Sequence, residues 1–204
     1  MTTPETSDTV GLVQLRAGYP PAWVHRPNTD PVPGPVFSPP SARTVGTLCR
    51  VCCTTVTLSS SEASLLTWLA ADLSTDQIAR RTYASVSSAL AELGMLAWAL
   101  GAETWPQAVD HACRSGLLCP QPTRLTHPLP GRDLEIVQNQ AHGRAVSEIA
   151  ERLGLREGSV THSLARTRRT LGTSGSPAAV YRLHAAQLLH AAPFCPHCPA
   201  GSPT

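Results

Sequence analysis

The segment LPGRDLEIVQNQAHGRAVSEIAERLGLREGSVTHSLARTRRTLG at 129–172, followed by SPAAVYRLHAAQLL at 176–189, decides the fold. Its apolar residues recur at helical spacing, and Gly143, Gly154 and the run from Gly172 to Gly175 interrupt them where helices should end. Pro177 stands where a first helical turn tolerates a missing N–H. This pattern predicts four helices, at about 131–142, 146–153, 157–170 and 177–190. Ile149, Ala150, Leu153, Leu155, Val160 and Leu164 are then expected to knot the two middle helices together, with small Ala150 permitting close approach.

The same pattern occurs once more upstream. Displacing the chain by 71 positions lays Leu58 on Leu129, Leu65 on Ile136, Ala70 on Ala141, Ile78 on Ile149 and Ala79 on Ala150. The match runs on without a gap through Leu93 on Leu164, Leu100 on Leu171, Gly101 on Gly172, Pro106 on Pro177 and Leu117 on Leu188. Mostly apolar, Gly and Pro matches in fixed register mean one core geometry kept while surfaces diverge. The first copy is expected to hold helices at 60–71, 75–82, 86–99 and 106–117, with Ser74 and Ser85 as N-caps. The predicted fold class is therefore all-α, two tandem four-helix units at 58–119 and 129–190 joined by a linker at 120–128.

The 129–189 stretch resembles the LuxR/GerE type of helix-turn-helix DNA-binding domain over about 60 residues. The resemblance rests on acidic Asp133 in the first helix, Ala141 and Gly143 at its end, and the Glu148-Ile149-Ala150 core. Gly158-Ser159-Val160 opening the third helix and Leu171-Gly172 closing it complete the pattern. Pro130, Arg156 and Ser163 depart from it, and leave the base preference open. The family comparison places base reading on Thr161, His162 and Ala165. It also implies dimerisation through the fourth helix, near 177–190, and hence two half-sites.

The chemistry of the third helix points the same way. Ser159, Thr161, His162, Ala165 and Arg166 should face outward, a mix of short and donor-bearing groups able to reach major-groove edges. Arg168 and Arg169, one turn on, suit phosphates. The first copy resembles the family more weakly, and its third helix, SVSSALAELGMLAWALG, has no Lys or Arg and carries Glu92. It reads as a degenerate unit whose Leu90, Met95 and Trp98 form an apolar face, packed on its own core or open to a partner.

Charge follows the same division. All 16 basic residues are arginine, and they divide as four against three acids in 1–57, three against six in 58–122 and nine against five in 123–204. The positive field thus lies in the C-terminal third. Aromatics are only 4% of the chain, so the core must be built from aliphatic residues. Eight prolines between Pro20 and Pro40 predict a disordered or polyproline arm over 1–45. Neither a signal peptide nor a run of about 18 apolar residues occurs, so a cytoplasmic protein without a membrane span is expected. No nucleophile, base and orienter set and no phosphate-binding Gly loop is evident, and an enzyme is not expected.

Seven cysteines stand at 49, 52, 53, 113, 119, 195 and 198. Cys49 and Cys52, in the segment 46–57, and Cys195 and Cys198, in the tail 191–204, form two Cys-x-x-Cys pairs, the spacing that presents two thiolates to one tetrahedral Zn2+. A zinc joining the pairs would clip the two ends of the tandem array together. Local sites using Cys119, His127, His190 or His197, incidental thiols, and a redox switch or iron–sulfur cluster are the other readings. Cys113 reads as a small buried hydrophobe.

These features favour a sequence-specific transcriptional regulator that binds double-stranded DNA through the second unit. The alternative is a protein-interaction module that docks on RNA polymerase or a sigma factor with little DNA binding of its own. A sigma-factor region-four helix-turn-helix is a third reading, against which the fourth helix and the repeat both argue.

Overall fold

The computed structural model describes residues 40–47 and 55–189. Eight helices follow a short hairpin of β1 (Val45–Thr47) and β2 (Thr55–Thr57), which pair antiparallel with Val45 opposite Thr57. The helices are α1 (Ser60–Ala70), α2 (Thr75–Arg81), α3 (Val86–Ala99), α4 (Trp105–Arg114), α5 (Gly131–Ala141), α6 (Val146–Leu153), α7 (Glu157–Leu171) and α8 (Ser176–Ala185). Ser60 and Gly131, Thr75 and Val146, Val86 and Glu157, Trp105 and Ser176 each lie 71 positions apart, so every helix of the first set has its counterpart start in the second.

Local chemistry sets these starts. Ser59 and Glu62 form a reciprocal capping box at α1, and Ser74 and Gln77 do the same at α2. Ser85 accepts from the Ser88 N–H at α3, and Thr104 accepts from the Gln107 N–H at α4. Gly154 and Gly172 end α6 and α7 in left-handed backbone, at φ 62 and φ 64, where a β-carbon would be strained. α4 and α8 stop sooner than their apolar periodicity predicts, at Arg114 and Ala185, because Gly116 (φ 76) and Gln187 (φ 59) turn the chain away.

One core runs through both sets of helices. Leu66, Ile78, Leu93, Leu96, Leu100 and Val109 from the first set and Ile136, Ile149, Leu171 and Leu183 from the second are fully buried. The two sets meet chiefly where α4 packs along α8, a seam lined by Ala108, Val109, Ala112, Ala179, Val180 and Leu183. All the described residues belong to one compact unit, Val32–Thr204.

This seam bears on the pairing of chains expected through 177–190. From Ser176 to Tyr181, and again at Leu183 and Ala185, α8 is buried, and α4 is the element that packs most extensively along it. The hairpin was also not foreseen, and the Pro-rich arm gives way to ordered pairing earlier than position 45. Ala42 bridges Leu118, Arg43 N–H donates to the Leu117 carbonyl and Leu58 N–H donates to that of Thr44. Pairing with the end of the first unit, absent from any local pattern, draws this stretch into the fold. Among the described residues no helix is long and apolar enough to cross a membrane.

Candidate nucleic-acid interface

The second unit presents α6, a tight turn and α7. Ile149, Ala150, Val160 and Leu164 are buried in the knot between the two helices, with Leu153 and Leu155 half-buried at its edge. The turn passes through Gly154, whose left-handed backbone lets Leu155 drop onto the core. α7 then lies with Ser159, Thr161, His162 and Arg169 exposed and Ala165 half-buried between them.

The arginines divide by role. Arg166 turns back onto α5, where its Nε donates to Asp133 Oδ2 at 2.8 Å and its Nη2 to Oδ1 at 2.6 Å. Asp133 is fully buried, while the Arg166 side chain remains 49% exposed. Burial pushes the Asp133 carboxyl up, but the Arg166 fork, the Ser163 hydroxyl and the Arg166 charge outweigh it and hold the group below its usual range. Arg166 is thus first a strut between α5 and α7, with one edge left for a ligand. Arg168 is half-buried and donates to the Ser174 carbonyl at 3.3 Å, which turns it away from the outward face of α7. Only Arg169 projects without either restraint.

Sequence reasoning missed Arg132. It is exposed at the start of α5 and rims an open concavity of about 410 Å3 with Leu155, Gly158, Ser159, His162, Ser163 and Arg166. Gly158 and Ser159 of the first turn of α7 border that hollow, so two guanidinium groups, an imidazole and two hydroxyls line one volume beside the helix N-terminus. Arg132 and Ser159 lie 27 positions apart, and no local pattern joins them.

α7 is also braced at its far end. Arg182 of α8 donates from Nη1 to the Leu171 carbonyl and, at 3.0 Å, to that of Gly172, satisfying groups that a helix C-terminus leaves open. A buried polar knot ties the two units nearby, where His184 of α8 meets Asp110 of α4 at 2.8 Å and Arg114 donates to the other Asp110 oxygen at 3.2 Å.

The remaining sequence-predicted residues separate. Cys49, Cys52, Cys195 and Cys198, with His190 and His197, lie outside the described residues. Cys113 sits in α4 against the core, where burial pushes its thiol well up, as expected of a structural cysteine. Among the described residues no group of three or more His, Cys, Asp or Glu side chains could hold a metal ion. Comparison with family models, curated proteins and solved structures finds no match.

Proposed function

We propose that the chain is a sequence-specific DNA-binding transcriptional regulator of the LuxR type, built from two tandem units of which only the second reads DNA. The observation that carries this reading is the outward face of α7. Thr161, His162 and Ala165 offer short or donor-bearing groups of the kind that read major-groove edges, and Arg132, Arg166 and Arg169 add exposed positive charge to the same unit. The concavity between Arg132, Ser159 and His162 suits a backbone phosphate, held by charge and by the first turn of α7. Such a reader works in the cytoplasm, and the Cys-x-x-Cys pairs at both ends of the tandem array are proposed to carry Zn2+.

Fluorescence anisotropy against genomic duplex pools, followed by selection of the tightest binders, tests the reading. Specific binding that weakens as salt rises, and loses its sequence preference in Thr161→Ala with His162→Ala, supports it. Absence of any DNA binding at low salt by a protein with wild-type helicity overturns it. The second reading, a module that docks on RNA polymerase or a sigma factor, draws on the acidic first unit and on an α3 that bears no Lys or Arg. Co-purification with the polymerase together with no DNA binding would favour it.

A further inference from the structure

In the first unit α3 stands where α7 stands in the second. The 71-residue register puts Leu90, Ala91, Gly94, Met95 and Trp98 at the places held by Thr161, His162, Ala165, Arg166 and Arg169. All five are exposed, Met95 at 67% and Trp98 at 84%. They share one side of α3, because steps of three, four and seven residues return to nearly the same helical angle. The opposite side, through Ala89, Leu93, Leu96 and Ala97, is already buried in the core, and Glu92 lies off the exposed stripe.

Two further features single out this face. Gly94 sits in the middle of a 14-residue helix, where glycine weakens the helix relative to alanine, yet a β-carbon there would meet nothing within 4 Å. Nothing among the described residues therefore requires the glycine. Tyr83, in the turn leading to α3, is 98% exposed and holds φ 54, at the place that Gly154 occupies in the second unit. A bulky side chain in left-handed backbone at a fully open position is a strained arrangement, and its 98% exposure leaves it little contact among the described residues to offset the strain.

We propose that this face is a homodimer interface, in which α3 of one chain packs on α3 of a second copy. Among the described residues Tyr83, Val86, Leu90, Met95 and Trp98 are the exposed large hydrophobics, all in α3 or the turn that leads into it, and side chains of this size can open several hundred Å2 together, on the scale of the ~800 Å2 per partner of a stable interface. The stripe carries no charge, so two copies meet without opposing like charges at its centre. A two-fold axis near Gly94 sets the two glycines beside each other, and the close helix approach there is what a side chain would prevent. The open apolar face lies on α3, whereas α8 packs along α4. The resulting dimer carries two α7 helices, and its formation does not depend on whether they read DNA.

Sedimentation equilibrium of the full chain without DNA tests the proposal. The wild type is expected to dimerise reversibly at or below about 100 μM, where an interface of this size is populated. Met95→Glu with Trp98→Glu should remain monomeric there with unchanged far-UV circular dichroism, both side chains being exposed. Gly94→Leu, a fold-neutral block to close approach, should weaken dimerisation by roughly tenfold or more while leaving Tm at or above the wild-type value. A monomeric wild type overturns the proposal. A dimer that persists undiminished in the double variant overturns it as well.

Discussion

Asp72 of the first unit caps a helix of the second. Its carboxylate accepts from the Ser174 N–H at 2.6 Å, the Ser174 hydroxyl at 3.0 Å and the Gly175 N–H at 2.7 Å, immediately before the first turn of α8. Asp72 holds φ 68, a backbone that aspartate tolerates better than most residues. Asp72→Gly keeps the backbone and loses the cap, a cost of about 1 kcal/mol, or a Tm lower by roughly 2–4 °C. Asp72→Ala should fall further, because alanine resists the left-handed region. A thermal melt that finds Asp72→Gly as stable as the wild type would remove the capping role.

The Arg166–Asp133 fork predicts an asymmetry between its two partners. Arg166→Ala leaves a buried carboxylate without its bidentate partner, whereas Asp133→Asn with Arg166 retained removes the buried charge and leaves a half-exposed arginine that water can solvate. Thermal melts should show Arg166→Ala lower in Tm by roughly 5 °C or more and Asp133→Asn lower by less. Arg166→Lys should rescue little, since an ammonium cannot form the fork. Equal losses would show that the buried Asp133 charge, left without its partner, is not the costly element of the pair.

Acid should destabilise the protein in two stages. Burial pulls the His111 imidazole below its ordinary value of 6.5, against the raising effect of the Leu100 carbonyl 2.9 Å from Nδ1. The unfolded chain therefore binds this proton first, and stability present above 6.5 is lost as pH falls from there toward the folded value. Asp110 and Asp133 are held below 3.8, because the partners His184 and Arg114, or Arg166 and Ser163, outweigh burial. Their contribution, present above 3.8, is lost as pH falls from there through the lowered folded values. Tm measured across pH should decline by a few degrees through the first window and steeply in the second. His142 is likewise held below 6.5 by burial and contributes to the same window, so His111→Gln should reduce the first decline without abolishing it and leave the second, and a first stage unchanged in that variant would assign it elsewhere.

If the second unit reads DNA through α7 as proposed, salt dependence should separate its arginines. Arg169→Ala and Arg132→Ala should each reduce the slope of log affinity against log salt by about 1 and leave sequence preference intact. Arg168→Ala should change that slope little, since its guanidinium is held on the Ser174 carbonyl. A larger change for Arg168 than for Arg169 would contradict the assignment of Arg169 as the phosphate contact.

The cysteine pairs predict Zn2+ in protein purified without added metal, measured by elemental analysis. Cys49→Ser with Cys52→Ser should abolish it, and Cys195→Ser with Cys198→Ser should do the same if one ion joins both pairs. Metal retained in full by both variants would exclude these thiols as ligands.

Helix starts were legible because they are written locally: Ser74 and Ser85 stand before their helices, and Gly154 and Gly172 end theirs. The buried set was legible through its periodicity, from Ile149 to Leu171. What escaped are partnerships between distant positions. Asp133 and Arg166 are 33 residues apart, Asp110 and His184 are 74, and Asp72 and Gly175 are 103. An arginine on an exposed helical face reads as a phosphate ligand until the structure shows which carboxylate it covers. The hairpin escaped for another reason: its three-residue strands are too short to display alternation, and only pairing with each other makes them strands.

The α4–α8 seam has a consequence for concentration. Two units that associate as separate chains part on dilution, whereas two units on one chain, joined by the short stretch between Arg114 and Gly131, face each other at an effective concentration in the millimolar range. Their association is therefore independent of how many copies a cell holds. The freedom this leaves falls on the surface of the first unit. With the contact between the two sets held by the covalent link and the α4–α8 seam, the outer side of α3, Trp98 included, takes no part in holding them together.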